Sequence, residues 1–160
     1  MATLRDLARV RTFSGDETTR LSAHEGPMSD AFPKLDLVIG GDVTADVCLS
    51  HEEMEIVLPQ LLQNAADHGA TRVEVRFDAA AEVLSVADNG EGVSEANRDT
   101  IFTPFFTTKR ARGGTGMGLA ITAAIAERHG GQVRLGEAAT GAMFLLDLPG
   151  EGDRDFWRKS

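Results

Sequence analysis

From position 50 to 68, apolar residues recur at helical spacing. Met54, Val57, Leu58, Leu61, Leu62 and Ala65 fall on one face. Ser50 and Glu53 stand where a capping box opens such a helix, and Gly69 stands where it stops. Pro59 lies inside the run, where it removes one backbone hydrogen bond, so a kink or split is expected there. A second helix is predicted from Leu119 to His129, apolar almost all round and therefore buried, with Gly130-Gly131 ending it.

Other segments alternate with period two. Val73, Val75 and Phe77 form one strand, and Val83 to Ala87 a second, joined as a hairpin around Ala79 to Ala81. Leu35 to Ile39, Gln132 to Leu135 and Ala142 to Leu148 are further strands, and Val43 to Leu49 is a weaker one. Thr3 to Phe13 reads as a helix. The stretch from Ser14 to Pro33 carries Gly15, Gly26, Pro27 and many small polar residues, and reads as a loop. Ser94 is placed to cap a short helix to Ile101, and Phe102 to Gly116 reads as a loop. This succession predicts an α/β fold, a two-layer sandwich with a mixed sheet covered by helices on one face. The chain divides into a residual helix and linker (1–20), a folded domain (21–150) and a charged tail (151–160).

The 160 residues suffice for one domain with a real core. A net charge of −9 argues against a nucleic-acid or anionic-membrane surface, because both demand positive charge. One cysteine, Cys48, permits no internal disulfide and suits a reducing cytoplasm. No apolar run reaches the length of a membrane span, and the first ten residues lack a signal-peptide core.

Three clusters carry candidate chemistry. Gln60, Asn64 and His68 recur every fourth residue, with Asp67 beside them, as a polar stripe along the first helix. An amide oxygen there is a hard ligand suited to magnesium, although a solvated helix face has the same look. Asp88-Asn89-Gly90-Glu91-Gly92 ends a strand with a carboxylate under a flexible turn, which can accept from an exocyclic amine or simply turn the chain. Gly113-Gly114-Thr115-Gly116-Met117-Gly118-Leu119 runs into a helix, whose free N–H groups suit phosphates. Between the last two, Phe102, Phe105 and Phe106 accompany Pro104 and the cations Lys109, Arg110 and Arg112.

In this order the elements resemble the ATP-binding catalytic domain of bacterial sensor histidine kinases, within the superfamily of gyrase, Hsp90, histidine kinase and MutL. Residues 63–68 resemble the N box and residues 88–92 the first glycine box. Residues 102–109 resemble the F box and residues 114–119 the second glycine box. The likeness covers roughly Leu35 to Pro149.

The resemblance implies a Bergerat-type ATP-binding fold with ATP and Mg2+ as cofactors. It implies that Asn64 holds the magnesium and, with Lys109, serves catalysis. Asp88 would bond the adenine amine, with Gly90 and Gly92 bending the backbone toward the nucleotide. His68, Phe105, Lys109, Arg110 and Arg112 would contribute to the ATP site. So would Gly114, Thr115, Gly116, Met117, Gly118 and Leu119. Residues from Val93 to Gly114 would form a mobile lid over it.

Departures exist. Gln60 stands where the family often has asparagine and where its hydrolytic members carry a glutamate base, which suits phosphoryl transfer over hydrolysis. Asp67 stands at a commonly basic position, and Ala142 where threonine is common.

The phosphoacceptor histidine is expected outside this chain, because Gly26-Pro27 after His24-Glu25 would break the helix an acceptor needs. Expected partners are therefore a phosphoacceptor and dimerisation helical domain, and downstream a response regulator. Neither nucleic acid nor, for this segment, a membrane is expected. Two other readings stand beside this one: an anti-sigma-factor-type serine kinase, and a degenerate nucleotide-binding or interaction module.

Overall fold

The computed structural model describes residues 17–103, 118–138 and 140–149. Its centre is a five-stranded sheet. The strands are β2 (Asp36–Gly41), β4 (Arg72–Asp78), β5 (Val83–Asp88), β6 (Gln132–Leu135) and β7 (Met143–Asp147), in spatial order β2-β4-β5-β7-β6. The β2–β4 pair is parallel and the other three pairs are antiparallel, so the sheet is mixed as expected. Asp88 and Val73 lie opposite one another, which sets every inward residue of the hairpin on the same face.

Two helices cover that face, α2 (His51–Asp67) and α3 (Gly118–Arg128). The core between the layers holds Val57, Leu58, Leu61 and Ile125 against Val75, Leu84, Phe144 and Leu146. Their alternation along the strands and their helical spacing gave the layer arrangement directly. Ser50 caps α2 through the expected box. Its Oγ accepts from the Glu53 N–H, and the Glu53 carboxylate accepts from the Ser50 N–H, both at 3.0 Å.

Four expectations change. α2 runs unbroken through Pro59. The carbonyl that loses its partner is that of Glu55, which sits on the exposed side of the helix where water can reach. The stretch read as a loop before Pro33 contains β1 (Thr19–Arg20), a 3-10 turn (Leu21–Ala23) and α1 (Glu25–Ala31). These are short elements held by tertiary contacts: β1 pairs with β3 (Asp46–Val47), and Leu21 and Met28 are buried. β3 is thus two residues in a separate small sheet, where a longer strand over 43–49 was expected. After Ser94 there is only a 3-10 turn (Glu95–Asn97), and Ser94 makes no side-chain cap. The helix predicted at Thr3–Phe13 lies outside the described residues.

Candidate functional site

The site is built where α2, the end of β5 and the start of α3 meet. Asp88 terminates β5 and is almost fully buried. Its backbone N–H donates to the Ala142 carbonyl at 2.9 Å. Its Oδ1 accepts from the N–H groups of Gly90 at 2.8 Å and Ala142 at 3.3 Å. Oδ2 takes no hydrogen bond from the described residues. One oxygen therefore fixes the side chain and leaves the other as an acceptor, as recognition of an amine requires.

Asn89 braces the loop from below. Its Oδ1 accepts from the N–H groups of Thr71 (2.8 Å) and Arg72 (3.0 Å), and its Nδ2 donates to the Thr71 hydroxyl at 2.9 Å. The backbone carbonyl of His68, at the end of α2, accepts from the Glu91 N–H at 2.9 Å. A Cβ on Gly90 would lie 2.7 Å from that same carbonyl oxygen, so the close approach of loop and helix depends on glycine there. The loop is clamped to the segment after β6 as well. Gly92 and Gly141 have φ of +78° and +69°, and a Cβ on Gly92 would lie 2.8 Å from the Gly141 carbonyl oxygen.

The polar stripe on α2 divides by role. Gln60 leans on the first described residue of α3: a Cβ on Gly118 would sit 2.8 Å from its Oε1. Asn64 is half-buried, and nothing among the described residues hydrogen-bonds its side-chain amide. His68 caps the helix, with Nδ1 2.8 Å from the Asn64 carbonyl oxygen. Asp67 accepts from Gln63 Nε2 at 2.9 Å. Thr122 returns its hydroxyl to the Gly118 carbonyl at 3.0 Å, and Leu119 packs on the core.

Asn64, His68, Asp88, Gly90, Gly92, Gly118 and Leu119 thus belong to elements joined by direct contacts. Phe102 packs edge-on against the buried Phe144, with ring centroids 6.1 Å apart, which pins the start of the aromatic segment to the core. Phe105, Lys109, Arg110, Arg112, Gly114, Thr115, Gly116 and Met117 lie outside the described residues, as does the second half of the expected lid.

Sequence reasoning gave no separate role to Asn89, Thr71 or Gly141. An asparagine after a strand and before glycine is the signal that could have marked Asn89, because its amide can replace backbone partners. Gly141 had no signal beyond being a glycine in a loop.

His24 is buried. Its Nε2 lies 3.0 Å from the Thr19 hydroxyl oxygen, and its ring stacks on His51 at 4.5 Å. Burial first, and His51 second, hold its pKa below the ordinary histidine value. A sequestered imidazole of this kind is a poor acceptor for an incoming phosphoryl group.

Among the described residues no helix is long and apolar enough to cross a membrane. No group of three or more His, Cys, Asp or Glu side chains is arranged among them to hold a metal.

Residues 50–152 match the family described as histidine kinase-, DNA gyrase B- and HSP90-like ATPases. The sensor histidine kinase ZraS of Escherichia coli K12 is 35% identical over 113 residues, covering 68% of this chain and 24% of its own length. The alginate biosynthesis sensor protein KinB of Pseudomonas aeruginosa is 32% identical over 114 residues, covering 68% of this chain and 19% of its own length. The chain therefore spans about a quarter or less of the length of these two curated relatives. Among solved structures, the ATP-binding domain of PrrB from Mycobacterium tuberculosis superposes with a TM-score of 0.70 at 24% identity, covering 86% of this chain and 98% of that one. A nucleotide-free catalytic domain of the histidine kinase ThkA gives 0.70 at 26% identity, covering 83% and 95%.

Proposed function

The chain belongs to the histidine kinase-, DNA gyrase B- and HSP90-like ATPase family, and on that premise we propose how its residues divide the work of phosphoryl transfer. It is an ATP-binding catalytic domain of the sensor-histidine-kinase type. The reaction passes the γ-phosphoryl group of Mg-ATP to a histidine on an adjoining or partner helical domain, from which a response regulator is then served. The setting is cytoplasmic.

The observation that carries the residue roles is the half-engaged carboxylate of Asp88. With Oδ1 committed to two backbone N–H groups, Oδ2 accepts from the exocyclic amine of adenine. Guanine presents a carbonyl oxygen at the corresponding position and is repelled. Gly90 and Gly92 allow the loop to lie close to the base.

The donor chemistry at Asn64 fits magnesium. The ion takes oxygen ligands, keeps several waters and substrate phosphate oxygens, and needs only one or two protein groups. The half-buried, unbonded amide of Asn64 offers one such oxygen. When bound, the ion neutralises charge that builds between the β- and γ-phosphates.

The glycines ahead of α3 present N–H groups to phosphate at the positive end of the helix dipole. Lys109, Arg110 and Arg112 supply cationic contacts from the lid, and Lys109 stabilises the transferring group. Gln60 cannot serve as a general base because an amide does not take up a proton at neutral pH, which favours transfer over hydrolysis.

The test is phosphotransfer. With radiolabelled Mg-ATP and a supplied histidine-bearing helical domain from a related kinase, the label should appear on that domain and be lost in acid. Label that survives acid would point to a serine acceptor and replace this reading.

A further inference from the structure

His24 lies where the 3-10 turn meets α1, and it is as buried as the core leucines, at 1% exposure. Its Nε2 has the Thr19 hydroxyl at 3.0 Å. Its Nδ1 is sealed from solvent and has no hydrogen-bond partner among the described residues. The charged ring carries an N–H on both nitrogens, so protonation in place leaves a buried donor unanswered.

The surroundings add to that cost. The ring of His51, the first residue of α2, lies 4.5 Å from that of His24, centroid to centroid. Two imidazolium rings so close repel. Glu55, one turn along α2, favours charge on His24, but it is exposed and its carboxylate lies 2.9 Å from His51 Nε2. Glu52 beside it is exposed too. From β1 and β3 come Arg20 and Asp46, which pair with each other at 3.3 Å in solvent. The helix that His24 precedes begins with the exposed Glu25. None of these acids hydrogen-bonds Nδ1.

The segment around this ring is lightly held. β1 pairs with β3 at two positions, the Ser22 N–H donates to the Val43 carbonyl at 2.9 Å, and Leu21 and Met28 are buried. Against so small a set of contacts, the charge state of one buried imidazole decides whether the segment stays down.

We infer that residues 19–31 are a proton-sensitive latch: with His24 neutral they sit against the first turn of α2, and proton uptake by His24 releases them. Release frees chain ahead of β2 and leaves Asp88, Asn64 and the core between the layers as they are.

The undocked segment takes up its proton at the ordinary value of 6.5. The docked one resists to a lower pH, because burial and then His51 oppose the charge. Docking is therefore at full strength above 6.5 and weakens as pH falls below it. The other buried histidine, His129, has a raised value of about 9 and acts in the opposite sense, its contribution to the fold being complete below 6.5. A loss confined to residues 19–31 does not come from it.

Hydrogen exchange of the full chain at pH 7.5 and 5.5, corrected for intrinsic rates, tests the latch. Opening constants for amides of residues 19–31 should rise up to about tenfold at the lower pH, while those of β4 and β5 do not rise with them. His24→Phe keeps a ring against His51 and takes no proton, so in that variant the rise should vanish. Should it fail to fold, the imidazole C–H resonances of the wild type serve instead: one of the four histidines should titrate below 6.5 in step with the loss of protection. Equal protection at the two pH values overturns the inference, and so does a rise that persists in His24→Phe. Protection lost with no histidine titrating in step also overturns it, as does a rise shared by β4 and β5, which would be a loosening of the whole domain.

Discussion

Glu53 and His129 are fully buried together, with the His129 Nε2 lying 3.0 and 2.8 Å from the two carboxylate oxygens of Glu53 across 76 positions of sequence. The same Glu53 carboxylate closes the capping box of α2, and His129 stands just beyond the end of α3. The pair thus fastens the start of one site helix to the end of the other. Desolvation works against both charges. Against it, the Cys48 Sγ, 3.9 Å from Nδ1, and the Glu53 carboxylate raise His129 to about 9. The hydrogen bonds from His129 and Ser50 outweigh burial and hold Glu53 below its ordinary value.

Stability should therefore follow pH in a definite sense. The Glu53 contribution is complete above 4.5 and is lost as pH falls through its lower folded value. The His129 contribution is complete below 6.5 and is lost as pH rises through about 9. Urea unfolding should show a decline between pH 6.5 and 9 of up to about 3 kcal/mol. Glu53→Gln should flatten that alkaline slope; a slope equal to the wild type's would mean that another group causes it.

Removing one partner of a buried pair leaves an uncompensated charge. His129→Leu should cost on the order of 3–5 kcal/mol in urea unfolding, whereas Glu53→Leu combined with His129→Leu should recover much of it. A double variant as unstable as the sum of the two singles would show that the side chains act independently.

Gly141 and Gly118 should separate fold from site. A Cβ on Gly141 would run into the Asp88 carbonyl at a φ of +69°, so Gly141→Ala should destabilise by about 1–3 kcal/mol and weaken nucleotide binding. At Gly118 the obstacle is the movable end of Gln60, so Gly118→Ala should leave the melting temperature nearly unchanged while lowering affinity for Mg-ATP. Scanning calorimetry beside nucleotide titration checks both. Equal stability losses in the two variants would contradict the distinction.

Asn64→Ala removes an amide that bonds nothing among the described residues, so stability should change by less than about 0.5 kcal/mol. The tighter binding that magnesium confers on ATP should disappear, and binding of metal-free ATP should persist. A full magnesium effect in the variant would move the metal ligand elsewhere.

Much of this arrangement could be read before the fold was known, and the reason is local physics. The capping box, the face of α2, the β4–β5 hairpin and the buried α3 are each written within a few adjacent residues. β1, β3 and α1 could not be read the same way. Two-residue strands exist only because Thr19 meets Val47 and Arg20 meets Asp46, and Gly26-Pro27 masks a seven-residue helix. The parallel register of β2 on β4 and the pairing of Glu53 with His129 are also distant contacts. At the site, the box residues were legible one by one. The hold of the Ala142 backbone on Asp88 was not, because it joins loops 54 positions apart, and neither was the hold of Asn89 on Thr71 and Arg72.

Titration of the chain with Mg-ATP and Mg-GTP, in the wild type and in Asp88→Asn, tests the central claim most directly. The asparagine keeps Oδ1 for Gly90 and Ala142 but turns the second oxygen into a donor that opposes the adenine amine. The account predicts saturable heat with Mg-ATP alone in the wild type, and none in a variant whose circular dichroism is unchanged. Equal Mg-ATP binding by wild type and Asp88→Asn would contradict it.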